Sequence, residues 1–543
     1  MGGDRAATPP RSSVQVVVTL VSFLALLSVD HLVADERQLP VFVSSSQCIA
    51  CHSDMVDDTG EKLSIGHTWR ASMMALSAKD PYWQAAVRRE IADRPQLEAE
   101  IEDTCSICHM PMFRTRAVAD GRSGEIVRYL EGGFSAEELD LAADGVSCTV
   151  CHQIAPENLG EHASFDGGYV IEPSLPEQTR AYGPYDVTSG LQHVMRSASA
   201  LVPVEGPHIQ SSELCATCHT LFTTAVDGAG ERIGDFPEQV PYLEWRHSAY
   251  RDERSCQDCH MPEVAVPVPI ASVLGEPRQN VSRHVFRGGN AFMLKLFAKY
   301  REELGVTTPA ADLASSLQST LEHLQSSSAK LGLRVAVADA EARVDVQVTN
   351  LAGHKLPTAY PSRRAWLHVT VRDPQGGILF ESGALNEDGS IVGNANDLDA
   401  RRFEPHHLEI TRSDQVQIYE PIIHDYQGDV TTSLLSGVTY AKDNRLLPRG
   451  FAKSTAGEDV AVRGAAAADA DFRGGGDRVT YRVPVPDGVD SVRVSARLLY
   501  QTIGYRWARN LDSYESFETD RFVRYYTENA AASAVVLAEA ATD

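Results

Sequence analysis

The chain has no cysteine to spare. All ten fall in five copies of one pattern: Cys48-Ile49-Ala50-Cys51-His52, Cys105-Ser106-Ile107-Cys108-His109, Cys148-Thr149-Val150-Cys151-His152, Cys215-Ala216-Thr217-Cys218-His219 and Cys256-Gln257-Asp258-Cys259-His260. A disulfide framework would need no histidine after each pair. A zinc ribbon takes two pairs per metal, and five is an odd number of pairs. A thioredoxin-like redox pair normally occurs once, beside a βαβ pattern. The spacing suits covalent haem instead. Two thiols add across the two vinyl groups, and the adjacent histidine sits beneath the iron as its proximal ligand. Chance composition would produce on the order of 0.006 matches in the chain, so five matches imply five covalently bound c-type haems. Their proximal iron ligands are His52, His109, His152, His219 and His260.

Long apolar runs are also missing. The longest N-terminal one, Val14 to Val29, has sixteen residues against the roughly 20 needed to cross a bilayer. With Arg5 and Arg11 before it and Leu32-Val33-Ala34 after it, residues 1–34 read as a secretory signal peptide. No cysteine follows to carry a lipid. The mature chain is expected in the periplasm or outside the cell, with no stable membrane span. Positive charge is scarce: Lys and Arg total 49 against 74 Asp and Glu, a net −25. That balance argues against nucleic acid and anionic membrane surfaces, and favours redox partners with a basic docking patch. A homo-oligomer formed through haem or β-domain contacts is compatible with this surface.

Residues 35–305 carry every motif, with too few residues per haem for a large apolar core. Short helices and loops wrapped around stacked haems are expected there. A partial repeat runs through this domain. Motifs two and five both end in Cys-His-Met-Pro, and Trp69-Arg70-Ala71-Ser72 echoes Trp245-Arg246-His247-Ser248. Residues 306–330 read as a connecting helix, with Leu313, Leu317, Leu321 and Leu324 at helical spacing. Alternation with period two then begins at Val335, Val337, Val344, Val346 and Val348. It returns at Leu367, Val369 and Val371, at Val479, Tyr481, Val483 and Val485, and at Val492, Val494 and Ala496. With turn clusters such as Asp373–Gly377 between them, residues 331–505 are expected to form an all-β, sandwich-like C-terminal domain. Residues 456–477 read as an exposed loop. Residues 506–543 read as a terminal helical tail, helical from about Ser513 to Ala541. The fold class is thus an α and irregular multihaem domain followed by a β-sandwich.

A sixth ligand on each iron would close it and bias it towards electron transfer. Outside the motifs, His67, His193, His208, His247 and His284 are the favoured candidates, each beside aromatic, Gly or Arg neighbours. Met74 competes at the first of these sites, since a thioether would raise the potential; packing against a porphyrin is the plainer role for Met73 and Met74. His354, in Asn350-Leu351-Ala352-Gly353-His354-Lys355-Leu356-Pro357-Thr358, is either a polar turn residue or a cap reaching from the β-domain to a haem. Asp397, Asp399 and Glu404 lie near His406 and His407 but receive no role.

The five motifs, the two Trp-x-x-Ser segments and the Cys-His-Met-Pro endings resemble the family of the tetrahaem cytochrome that accepts electrons from hydroxylamine oxidoreductase. The resemblance covers about residues 45–290. It implies a distal ligand at the second residue after each Trp-x-x-Ser. Those positions hold Met74, with His67 nearby, and Tyr250, with His247 nearby. The segment Gly353–Thr358 is similar to a β-domain attached to many bacterial multihaem cytochromes. The leading expectation is a one-electron relay along closely packed haems. The alternative is an oxidoreductase acting on a small nitrogen or sulfur compound at one open iron. No Cys-x-x-Cys-Lys occurs, and no catalytic residue is assigned.

Overall fold

The computed structural model describes residues 1–3, 42–56, 62–173 and 178–542. The signal-peptide reading of residues 1–34 therefore lies almost wholly outside the described residues. Leu39–Asp543 forms one compact unit, so the motif region and the sheets share a single body.

In the motif region each pair of cysteines starts or sits on a short helical turn. Cys48 belongs to Ser45–Ile49, the second motif closes Glu98–His109, and Cys148–Cys151 is itself a turn. The fourth motif begins in Ser212–Ala216 and the fifth forms Cys256–His260. A spacing of three residues on a helix puts both sulfurs on one side, which is what two vinyl groups on one macrocycle require. Ser255 caps the last of these helices, accepting from the Asp258 amide while the Asp258 carboxylate accepts from the Ser255 amide. Side-chain cores here are small. One gathers Trp83, Val87, Ile91, Ile101, Phe113 and Ile126. Another gathers Met55, Leu63, Val264, Val268 and Val281.

The leucine stripe forms helix Ala310–Ser327, whose Leu313 and Leu324 are buried. The alternating segments then build two sheets. One orders Glu409–Ile410, Gly476–Pro484, Glu341–Asn350 and Ala329–Ala338. The other orders Ile378–Ser382, Arg364–Arg372, Arg493–Gln501 and Ala534–Ala541, with Ile418–Tyr419 also pairing on Arg364–Arg372. The register sets Val346 opposite Val479 and Val344 opposite Tyr481 in the first sheet. In the second, Leu367 faces Leu498 and Val369 faces Ala496. The inward residues of both sheets merge in one continuous apolar core.

Two segments differ from the sequence expectation. The tail is helical over Tyr505–Arg509 and Phe517–Asn529, with short 3-10 turns at Asn510–Ser513 and Ala530–Ala532. Ala534–Ala541 is instead a strand paired antiparallel with Arg493–Gln501. Val535 and Leu537 alternate inward there, and an open sheet edge outweighs the helix preference of an Ala-rich stretch. The 456–477 loop is not simply exposed, because Val460, Ala466 and Phe472 are buried in the sandwich core.

The two regions interlock. Helix Phe517–Asn529 crosses Pro81–Asp93, with the Phe522 ring 5.0 Å from Tyr82 and Arg88 Nε 2.9 Å from Glu518 Oε2. A small sheet of Pro421–Asp425, Val430–Thr431 and Gly437–Asp443 reaches towards the motifs. Glu90 accepts from the Leu434 amide (3.0 Å) and the Ser433 hydroxyl (2.8 Å), and Tyr440 Oη donates to the Pro237 carbonyl at 2.8 Å.

Candidate haem-binding cavity

One cavity of about 1960 Å³ runs through the motif region, lined by all ten cysteines and all five motif histidines. Its wall also includes apolar groups such as Ile49, Trp69, Val87, Leu191, Met195 and Leu214. None of the cysteines is in a disulfide. Thiols from different motifs meet: Cys48 hydrogen-bonds Cys148, Cys108 bonds Cys218, and Cys215 bonds Cys256. Cys151 interacts electrostatically with Cys218. The first and third motifs are thus neighbours, and the fourth lies next to the second, third and fifth.

Four of the five motif imidazoles share one arrangement. Nδ1 of His52 bonds the Ile270 carbonyl at 2.6 Å, that of His109 the Ser77 carbonyl at 3.1 Å, and that of His152 the Tyr182 carbonyl at 2.6 Å. His260 Nδ1 bonds the Arg287 carbonyl. A carbonyl can only accept, so Nδ1 carries the proton and Nε2 is left as a free donor atom for a metal. Burial pushes His109 and His260 down to about 4 and also lowers His152 and His219. Neutral imidazole is the form that binds iron.

Two further histidines repeat the arrangement from the other side. His284 Nδ1 bonds the Ser282 carbonyl at 3.1 Å, and His354 Nδ1 bonds the Lys355 carbonyl at 2.8 Å. The His152 and His284 ring centres are 6.3 Å apart with planes 18° from parallel. Those of His260 and His354 are 6.2 Å apart and 10° from parallel. Two imidazoles bound at about 2 Å to opposite faces of one metal hold their ring centres about 6 Å apart. Face contact is much closer, as where Trp83 stacks on His109 at 4.4 Å and 3°.

His354 sits at the seam of the two regions because a buried charge network holds its turn. Glu244, on Pro241–Arg246, is fully buried. It pairs with Arg445 at 2.8 Å and accepts from the Lys355 amide (3.1 Å) and the Thr358 hydroxyl (2.5 Å). Arg445 and Lys355 share Asp443 at 2.8 and 2.6 Å. Both cations hold the Asp443 carboxyl well below the usual carboxylate range.

The other candidate ligands are placed differently. His193 is exposed and accepts from Arg196 at 2.8 Å. His208 and His247 have Nε2 bonded to the carbonyls of Ile154 (2.9 Å) and Ala452 (3.1 Å). The His67 side chain is 34% exposed, its Nδ1 4.0 Å from Asp54. None of these four lines the cavity, whereas Met73, Met74, His284 and His354 do. His162 and His323 line it too, and no local cue in the sequence singled them out. The Trp69 and Trp245 indoles of the repeat donate to the carbonyls of Val146 (3.1 Å) and Arg254 (2.9 Å).

Asp397 pairs with Arg364 at 2.7 Å, Asp399 with Arg401 at 3.4 Å and Glu404 with His407 at 3.0 Å. Among the described residues the sole convergence of three His, Cys, Asp or Glu ligand atoms is His406, Asp469 and Asp477, within 4.8 Å of one another. It does not suit a cation. His406 Nδ1 accepts from the amides of Gln417 (2.7 Å) and Asn444 (3.1 Å), whose oxygens are fixed by the His407 and Glu420 amides. Nε2 must therefore carry the proton, which it donates to Asp469 at 2.9 Å. No three cysteine or histidine ligand atoms of the motifs converge in this way among the described residues, so the pairs do not form closed zinc sites. Burial also pushes the Cys151 thiol up to about 12. Paired sulfurs on one helical side, a free Nε2 at four of the motifs and one shared apolar-walled cavity fit covalently attached haem.

The fold agrees. The structure of a penta-heme cytochrome c552 from Thermochromatium tepidum superposes with a TM-score of 0.50, covering 93% of this chain and 100% of that one at 16% identity. The chain thus has the fold of a multihaem c-type cytochrome. No protein-family model and no curated protein matches the sequence.

Proposed function

We propose that the chain is an exported pentahaem cytochrome c that passes single electrons between redox proteins. One observation carries this reading: a single continuous cavity takes in all five attachment motifs, with thiols of neighbouring motifs in contact. Haem iron, when bound, supplies reversible one-electron chemistry. The ten cysteines anchor five macrocycles, and the motif histidines present Nε2 as proximal ligands. His152 with His284, and His260 with His354, would hold an iron between them, and such closure would favour transfer over ligand binding. The contacts between thiols order the sites first, third and fourth, with the second and fifth branching from the fourth. An acidic surface suits docking to basic partners. No helix of the described residues is long and apolar enough to cross a membrane; the Arg5–Ala34 segment supports export to the periplasm.

The test is intact mass after maturation in a competent host. Removal of residues 1–34 and a gain of five haem units are expected. Fewer than five units would refute the pentahaem reading, and a retained leader would refute export.

A second reading, catalysis at an open iron, draws on Arg363. This cation lines the cavity near the fourth motif, where it adds to burial in lowering the pKa of His219, and positive charge is what a small anion would seek. It ranks second because the guanidinium is already bonded to the Thr358 carbonyl and to Asn290 Oδ1, both at 2.9 Å.

A further inference from the structure

The fifth motif has more imidazole around it than one iron can use. His354 opposes His260 from the sandwich at 6.2 Å. His323 stands on helix Ala310–Ser327, its ring centre 5.8 Å from that of His260 and its plane 59° away. It lines the same cavity as Cys256, Cys259, His260 and His354. Among the described residues no hydrogen bond holds the His323 ring.

We propose that His323 is a reserve axial ligand for the iron at the fifth motif, ready to replace His354. The proposal builds on the reading of His260 and His354 as an axial pair. The two donors sit on supports of different stiffness. His323 rides a helix pinned by buried Leu313, Thr320 and Leu324. His354 rides the 351–354 turn, whose position depends on the buried charges of Glu244, Arg445, Asp443 and Lys355. Exchange would break the bond from the iron to His354 Nε2 and form one to a His323 ring nitrogen. Both imidazoles are neutral, so no electron or proton changes hands. Movement of the turn would then leave the iron six-coordinate and closed to small ligands.

The test uses the full-length haem-loaded protein and smaller polar replacements that lack the imidazole: His354→Asn, His323→Asn and both together. Carbon monoxide uptake by the fully reduced protein is counted per chain, with haem content fixed by intact mass. Neither single variant should gain uptake over the unmodified protein, and the double variant should gain one equivalent. A gain in either single variant overturns the proposal, as does no gain in the double. If His354→Asn matures with fewer haems, urea titration of His323→Asn decides. The extra equivalent should appear at lower urea than in the unmodified protein, and an unchanged midpoint overturns the proposal. Failure of the pentahaem reading beneath both looks different: the Cys256–His260 peptide of the unmodified protein would carry no haem.

Discussion

The two halves of this molecule bury apolar surface in opposite ways. The sandwich is filled by its own side chains: Val344, Val346, Leu367, Val369, Val479, Tyr481 and Leu498 are all fully buried in one continuous core. The motif region has smaller cores set around the large cavity, one of them completed by the C-terminal helix. Helix Ser189–Ser199 shows the contrast best. It has no buried residue, yet Leu191, Val194, Met195 and Ala198 form a stripe at helical spacing along the cavity wall. One half folds on what it encodes. The other is shaped to close on groups it must acquire.

Withholding those groups is the hardest blow to this contrast. In chain exported without haem attachment, the motif region should lose protection from hydrogen exchange throughout 42–300 while the sandwich strands keep theirs. Equal loss in both halves would show that the sandwich leans on the haem region for its stability. Next is the seam. Glu244→Ala strips a buried carboxylate from Arg445 and Lys355 and should cost about 3–5 kcal/mol in urea unfolding. It should also alter the low-spin signal of the fifth site at unchanged haem content. A spectrum identical to that of the unmodified protein would cut the link between the network and His354.

Leu367→Ala probes the sandwich alone. A cavity in its core should cost about 2–5 kcal/mol while leaving the haem spectrum untouched. The smallest effect concerns Asp477, whose carboxyl burial pushes up from its ordinary 3.8 to about 7. A raised folded pKa gives stability that is complete below the unfolded value and is lost as pH rises through the folded one. Asp477→Asn should therefore gain in Tm relative to the unmodified protein between about pH 4 and pH 7. A difference that is flat over this window would show that Asp477 titrates normally.

Much of this was legible in the chain. The spacing of Cys48, Cys51 and His52 and its four echoes is a local covalent demand, satisfied within one helical turn wherever the segment lies. The alternation from Val344 to Val348 and from Val479 to Val485 likewise reports its own inward face, because side chains of a strand change sides at every residue. The Ala534–Ala541 segment favours helix by its Ala-rich composition, and only the waiting edge of Arg493–Gln501 turns its short alternation into a strand.

Distal positions obey no such local rule. His247 has an aromatic neighbour in Trp245 and His208 follows Gly206, contexts as inviting as that of His284, yet their Nε2 atoms are committed to carbonyls brought in from elsewhere in the chain. His354 reaches His260 because Glu244 fastens a β-turn against the motif region, and His323 arrives on a helix whose leucines, not its histidine, set its orientation. Attachment points and sheet faces are written in short-range spacing. Which imidazoles face one another across a cavity depends on how distant segments pack, and only the assembled fold decides that.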